Sequence, residues 1–331
     1  MSSLTVTSSA LERAKRSRDW SLGLIFLLCV VCLWVLSSVL LNDLFEKDIY
    51  SKPFFITWIN TAAFALYLIP YHILGPLEQE HTNDHLPLTP KETIQLAFWF
   101  CTLWFLSNLV NNASLLYTSV SSQTILSSTS SFFTILIGAL FAIERINNTK
   151  IVSIVVSFLG VILVTKNDDP SVSKTRDSVI LGNVLALSGA LLYGIYSILL
   201  KLKIKNDSRI DMRLFFGFVG VFNLLFLWPP LILLDIMGVE TFELPRSPYV
   251  FFVVIFNCAI SFLADFLWAR AMLLTSPLTV TLGLSLTIPV AMVCDFVFKH
   301  KLNSWVYILG ALLICLSFYF VNKSESEEEE I

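Results

Sequence analysis

Long apolar runs separated by short polar segments recur along the whole chain. Each approaches the roughly 20 residues that a helix needs to cross about 30 Å of hydrocarbon. Ten such spans can be read off, at about 20–42, 54–74, 94–116, 119–143, 150–165, 179–200, 214–236, 250–273, 277–298 and 303–321. The polar segments between them are brief, the longest being 75–93. The pattern predicts an all-α membrane protein of ten transmembrane helices, with no room for a sizeable soluble domain.

The runs are not uniformly apolar. Span three carries Trp104, Asn108, Asn111 and Asn112 at helical spacing, and span four carries Ser119, Gln123, Ser127, Ser130 and Thr134. Asn257, Ser261, Asp265 and Trp268 form a stripe on span eight, and Thr281, Ser285, Asp295 and Lys299 another on span nine. Spans one and six add Trp34, Ser38 and Asn42, and Tyr193, Tyr196 and Ser197. Polar side chains at bilayer depth are costly unless they face a bundle interior or a wet cavity, so a shared face marks a candidate site. For the Ser and Thr positions, close helix packing is the simpler account. Asn111, Asn112 and Gln123 are harder to assign to packing, while Trp34, Tyr193 and Tyr196 suit a core as well as a cavity wall.

Asp265 is the sharpest single residue, because a mid-span carboxylate must be protonated, matched or functional. Arg270, five residues on, lies about 140° around the helix and is a poor same-face partner, though its long side chain can bend back or snorkel. Asp295 and Lys299, four apart, can neutralise each other. Pro289, with Gly283 upstream, weakens backbone bonding in span nine, as a helix lining a cavity tolerates. Pro229-Pro230 breaks span seven, with no sequence counterpart earlier in the chain.

The spans are also duplicated. Residues 97–166 lie over 254–323 without a gap: Phe105 meets Phe262, Leu106 meets Leu263, Leu116 meets Leu273, and Thr118-Ser119 meets Thr275-Ser276. Thr124 then meets Thr281, Ser128 meets Ser285, Phe141 meets Phe298 and Lys166 meets Lys323. Trp34 and Ser38 correspond to Tyr193 and Ser197. The chain thus divides into an N-terminal tail (1–19), a five-helix repeat (20–166), a polar linker (167–178), a second five-helix repeat (179–321) and an acidic tail (322–331). Five is odd, so the second copy enters the bilayer upside down. Two inverted repeats enclose a natural site at the midplane between them.

Composition agrees: 56% of the 331 residues are hydrophobic and 14% charged, against about a quarter charged in soluble domains. Lys and Arg favour the side holding Arg13, Lys15, Arg16, Arg18, Lys201, Lys203 and Lys205, which predicts cytosolic termini. The net charge of −3 owes much to residues 325–330, which read as a solvated run. The basic N-terminal segment reads as the flank of an uncleaved first span; a mitochondrial presequence is the rival, weakened by Glu12 and Asp19. All six cysteines fall within apolar spans and read as packing residues, including Cys29 and Cys32. His81, Asp84 and His85 in the long loop lack further metal ligands. No nucleotide loop or nucleophile elbow is present, so neither an enzyme nor a cofactor is expected.

The segments LGNVLALSGALLYGIYS (181–197) and LGALLI (309–314) are similar to the openings of the sixth and tenth spans in the drug/metabolite transporter superfamily, built from paired five-helix EamA-type units. Within it, KPFFITWINT (52–61), SQTILSSTSSFFT (122–134) and LLTSPLTVT (273–281) resemble the subfamily F branch of solute carrier family 35, especially fungal members related to thiamine-repressible and vacuolar membrane transport proteins. The resemblance covers nearly all but the tails. It implies a multi-pass protein of the vacuolar membrane, with mitochondrial and Golgi membranes as alternatives.

The expected function is secondary transport of a small organic solute by alternating access, without ATP; a receptor or scaffold on a transporter fold is the alternative. Trp34, Asn111, Asn112, Gln123, Tyr193, Tyr196, Asp265, Arg270, Thr281 and Ser285 are the candidate substrate-binding residues. Aromatics with Asp265 suit an organic cation such as thiamine. Arg270, with Lys299 and Lys301 near one mouth, suits a phosphorylated or nucleotide-linked solute. The expected partners are a small-molecule substrate and membrane lipid, with no nucleic acid; homodimerisation is left open.

Overall fold

The computed structural model describes residues 2–46, 50, 52–75, 87–117, 120–165, 176–205, 207–299 and 304–330. Ten stretches within these are helical and apolar enough to cross a bilayer. They are Arg16–Ser37, Phe54–Leu74, Pro90–Asn111, Gln123–Leu140, Asn148–Thr165, Ile180–Ile204, Met212–Ile236, Pro248–Leu274, Pro277–Cys294 and Trp305–Glu325. They match the ten sequence-derived spans to within a few residues, and no strand occurs among the described residues. The protein is an integral, multi-pass membrane protein. Most of the linker, the His81–His85 motif and the side chains of Asp295 and Lys299 lie outside the described residues.

The helices pack in a fixed set of pairs. Span one runs along span eight, three along six, five along ten, two along seven, and four along nine. Three also touches seven as eight touches two, and four touches six as nine touches one. The ends of spans one and ten share one face, where the Trp20 indole donates to Asn322 Oδ1 at 2.9 Å. A central aromatic core around Phe64, Phe100, Phe215, Phe216 and Trp268 fills the space between spans two, three, seven and eight.

Several helices are interrupted, and the local chemistry says why. Span nine stops at Leu284 and restarts at Thr287. Pro289 has no N–H to offer the Ser285 carbonyl; that carbonyl accepts from Ile288 N at 3.1 Å instead. Span four breaks at Thr129, between Val120–Ser128 and Ser130–Leu140, without any proline. There the run of hydroxyls supplies the lost bonds: Ser128 Oγ donates to Ile125 O at 2.7 Å and Thr129 Oγ1 to Leu126 O at 2.5 Å. Such self-bonding competes with the helical ladder. Span seven breaks at Leu227, just before Pro229-Pro230. The expectation that these prolines have no earlier counterpart fails: Pro70 of span two lacks an N–H for the Leu66 carbonyl, and just before it span two tightens to a 3₁₀ turn at Ala63–Tyr67, where it presses on Gly220 of span seven.

Candidate functional site

The two broken helices meet. The corresponding breaks, Thr129 in span four and Leu286 in span nine, border a cavity of about 180 Å³. Span four contributes Thr124, Ser127, Ser128 and Ser130, and span nine Thr281, Leu284, Ser285, Thr287 and Ile288. Tyr193 of span six and Val161 of span five close the walls. Among these described lining residues none is charged. Hydroxyls both donate and accept, so the walls can answer either kind of polar edge on a bound solute.

The cavity wall is tied to an aromatic cluster behind it. Trp268 Nε1 donates to the Tyr193 hydroxyl at 3.3 Å, and Tyr193 also hydrogen-bonds Thr281. Thr281 lies 3.5 Å from Thr134 and donates to Pro277 O at 2.6 Å. Tyr196 packs on Tyr193 at 5.1 Å between centroids, on Trp104 at 5.5 Å and on Trp268 at 5.9 Å. Edge-on and tilted contacts dominate, as the ring quadrupole prefers. Asp265 is buried within this cluster, hydrogen-bonded to the Trp34 side chain and electrostatically close to Tyr67 and Tyr196.

The candidates therefore divide by place. Tyr193, Thr281 and Ser285 line the cavity. Gln123 and Asn111 reach its wall through Ser127: Gln123 Nε2 lies 3.1 Å from Ser127 Oγ, which donates to Asn111 Oδ1 at 3.4 Å. Asn111 also fills the gap left by Gly189 of span six, where any Cβ would collide with its amide. Trp34, Tyr196 and Asp265 form the cluster behind Tyr193. Arg270 stands apart, over the Phe26 ring at 5.6 Å. The Asn112 side chain lies outside the described residues.

Thr124, Ser128, Thr287 and Ile288 were not among the sequence candidates. For Thr124 and Ser128 the signal is their pairing with Thr281 and Ser285 in the duplication. The acidic run at the C-terminus needs correction. Glu325 is buried rather than solvated, and its Oε2 accepts from Ser276 Oγ and Thr279 Oγ1 at 2.5 Å each.

Ten spans, interrupted helices facing each other and a hydroxyl-walled cavity between them define a class, the polytopic membrane transporters. Residues 22–223 match the family model described as purine nucleobase transmembrane transport. The chain is 48% identical to a vacuolar membrane protein of Saccharomyces cerevisiae, over 96% of this chain and 94% of that one. It is 41% identical to the thiamine-repressible mitochondrial transport protein of the same yeast, over 94% of each chain. Solute carrier family 35 member F5 of Mus musculus is 29% identical, over 92% of this chain and 77% of its own length. One crystal structure superposes with a TM-score of 0.65 at 12% identity, covering 93% of this chain and 99% of that one, which speaks to the fold alone. The chain belongs to the drug/metabolite transporter superfamily, in the solute carrier 35 subfamily F branch with its fungal vacuolar and thiamine-repressible relatives. It is a membrane transporter, and several of its relatives are named as transport proteins.

Proposed function

We propose that the protein is a secondary transporter that carries a small heterocyclic solute through the cavity between spans four and nine by alternating access. The observation that carries this reading is the coincidence of two helix breaks, at positions matched by the duplication, on either side of one polar cavity. Breaks of this kind free backbone groups at membrane depth and let half-helices move independently.

The packing pairs support the two-repeat organisation. Exchanging each span with the one five places away turns one–eight into six–three, three–seven into eight–two and four–six into nine–one. It also maps five–ten, two–seven and four–nine onto themselves, so these main pairs are closed under the exchange, while the slighter six–eight, six–nine and two–three contacts are not matched in the same way. A five-plus-five duplication accounts for that exchange. With both termini cytosolic, the face shared by spans one and ten is the cytosolic one. The identity to a vacuolar relative favours the vacuolar membrane over the mitochondrial one.

For the solute, walls of hydroxyls with the Tyr193 ring and no charge among the described lining residues favour an uncharged or cationic heterocycle, nucleobase-like or thiamine-like. A phosphorylated solute would want an arginine at the wall, and Arg270 instead stands over Phe26. Asp265, behind Tyr193, is the group that senses a cationic ligand or couples its passage. Trp34, Asn111, Gln123 and Tyr196 hold the wall in shape.

A thermal-shift screen of purine bases, thiamine-like cations and nucleotide sugars, followed by uptake into liposomes containing the purified protein, tests this reading. Heterocycles are expected to raise the melting temperature and to be taken up. A protein that moves none of them yet binds a partner protein would be a scaffold instead.

A further inference from the structure

One turn of span nine away from the cavity, at the face bearing the chain ends, three charged side chains meet in the interior. Lys150 Nζ lies 3.6 Å from Glu144 Oε2 and 3.5 Å from Glu325 Oε1, and all three side chains are at most 5% exposed. They join four spans. Glu144 follows span four, turned back beneath it by Ala142 at φ 55°, while Lys150 opens span five and Glu325 ends span ten. Span nine supplies the neutral partners. Leu278 N donates to Glu144 Oε1 at 3.1 Å, and Ser276 and Thr279 donate to Glu325. From span six, Lys201 also draws on Glu144, more weakly than Lys150 does. Its ammonium donates to the Met272, Leu273 and Thr275 carbonyls at 3.2, 2.7 and 2.5 Å, where its charge offsets the negative end of span eight.

Two buried carboxylates around one ammonium carry a net negative charge that Lys201 offsets only in small part from span six, and buried charge in excess of its partners is expensive. One added proton makes the trio neutral. We propose that Glu144, Lys150 and Glu325 form a proton-binding site that holds the terminal face of the transporter closed, taking up one proton on closing and releasing it on opening. This rests on the transport reading and gives it an energy source, a proton exchanged at the gate one turn from the solute.

The electrostatics agree. Burial first, and the Glu325 carboxylate second, push the Glu144 carboxyl up to about 8, against the opposing pull of Lys150 and the Leu278 N–H. When the face opens and water enters, that carboxyl returns toward its ordinary range and passes its proton to solvent. The sign follows: protonation favours the closed face, and closure weakens as pH rises through about 8.

Hydrogen exchange of the full chain in lipid nanodiscs tests this without any solute. After correction for the intrinsic pH dependence of exchange, the amides of 141–147 and 277–281 should lose protection by at least about tenfold between about pH 6 and about pH 9.5. Glu144→Gln keeps an acceptor for Leu278 N but no titration, and should stay protected at both values. Glu325→Gln, which removes the excess charge from the other side, should also flatten the response. Equal protection of the wild type at both pH values, or a response in Glu144→Gln as steep as wild type, overturns the proton site. A seal that titrates as stated in a protein that moves no solute would leave the proton site standing and remove the transport reading alone.

Discussion

Gly160 of span five and Gly310 of span ten bring their backbones into direct contact: a Cβ on Gly160 would fall 2.7 Å from the Gly310 carbonyl oxygen, and one on Gly310 would fall 2.6 Å from that of Gly160. Small residues let membrane helices approach this closely, and the nearest obstacle to a larger one is backbone, which has no rotamer to yield. Gly160→Ala should therefore cost about 1–3 kcal/mol by overpacking. A melting temperature in detergent equal to wild type would show that the two helices separate freely.

Asp265→Asn keeps the size of the side chain and an acceptor for the Trp34 indole while removing the charge. Uptake of the screened heterocycle should fall by at least about tenfold, with the melting point nearly unchanged, since the hydrogen bond is retained. Wild-type uptake in this variant would assign Asp265 to packing.

Ser285→Leu would push an isobutyl group into the cavity from the break in span nine. Ligand-induced stabilisation, about 2.7 kcal/mol at a hundredfold excess over Kd, should vanish. The melting point without ligand should hold. A shift that survives this substitution would locate the ligand elsewhere.

Pro289→Ala returns an N–H able to reach the Ser285 carbonyl, which now accepts from Ile288. A straighter span nine should melt higher and transport more slowly, by several-fold in initial uptake rate. Faster uptake would mean that the break is incidental to movement.

The pH dependence of stability should follow Glu144. Its carboxyl is raised to about 8 in the folded protein, above its ordinary value of 4.5. A group raised on folding stabilises fully below its ordinary value, and that contribution is lost as pH rises through about 8. Melting in detergent should therefore drop between about pH 6 and about pH 9, and the drop should shrink in Glu144→Gln. A profile in the variant that follows the wild type would trace the effect to other groups.

The amino-acid pattern alone settled the ten spans, because an apolar run long enough to cross the bilayer has no alternative to a helix there. It also carried the family and the Pro289 interruption, since each is written in a local stretch. Tyr193, Thr281 and Ser285 could be named because their spacing puts them on polar faces, and all three line the cavity. Only the tertiary structure decided how those faces are shared. Thr129 looks like any residue of a serine-rich helix until its hydroxyl is seen holding the Leu126 carbonyl. Arg270 lies near Asp265 in sequence yet stands over Phe26, because helical rotation separates them. Glu325 falls in a run that reads as solvated, and no local pattern marks Glu144 or Lys150 for the interior. Their meeting in the interior depends on four helices converging across most of the chain, which no local pattern encodes.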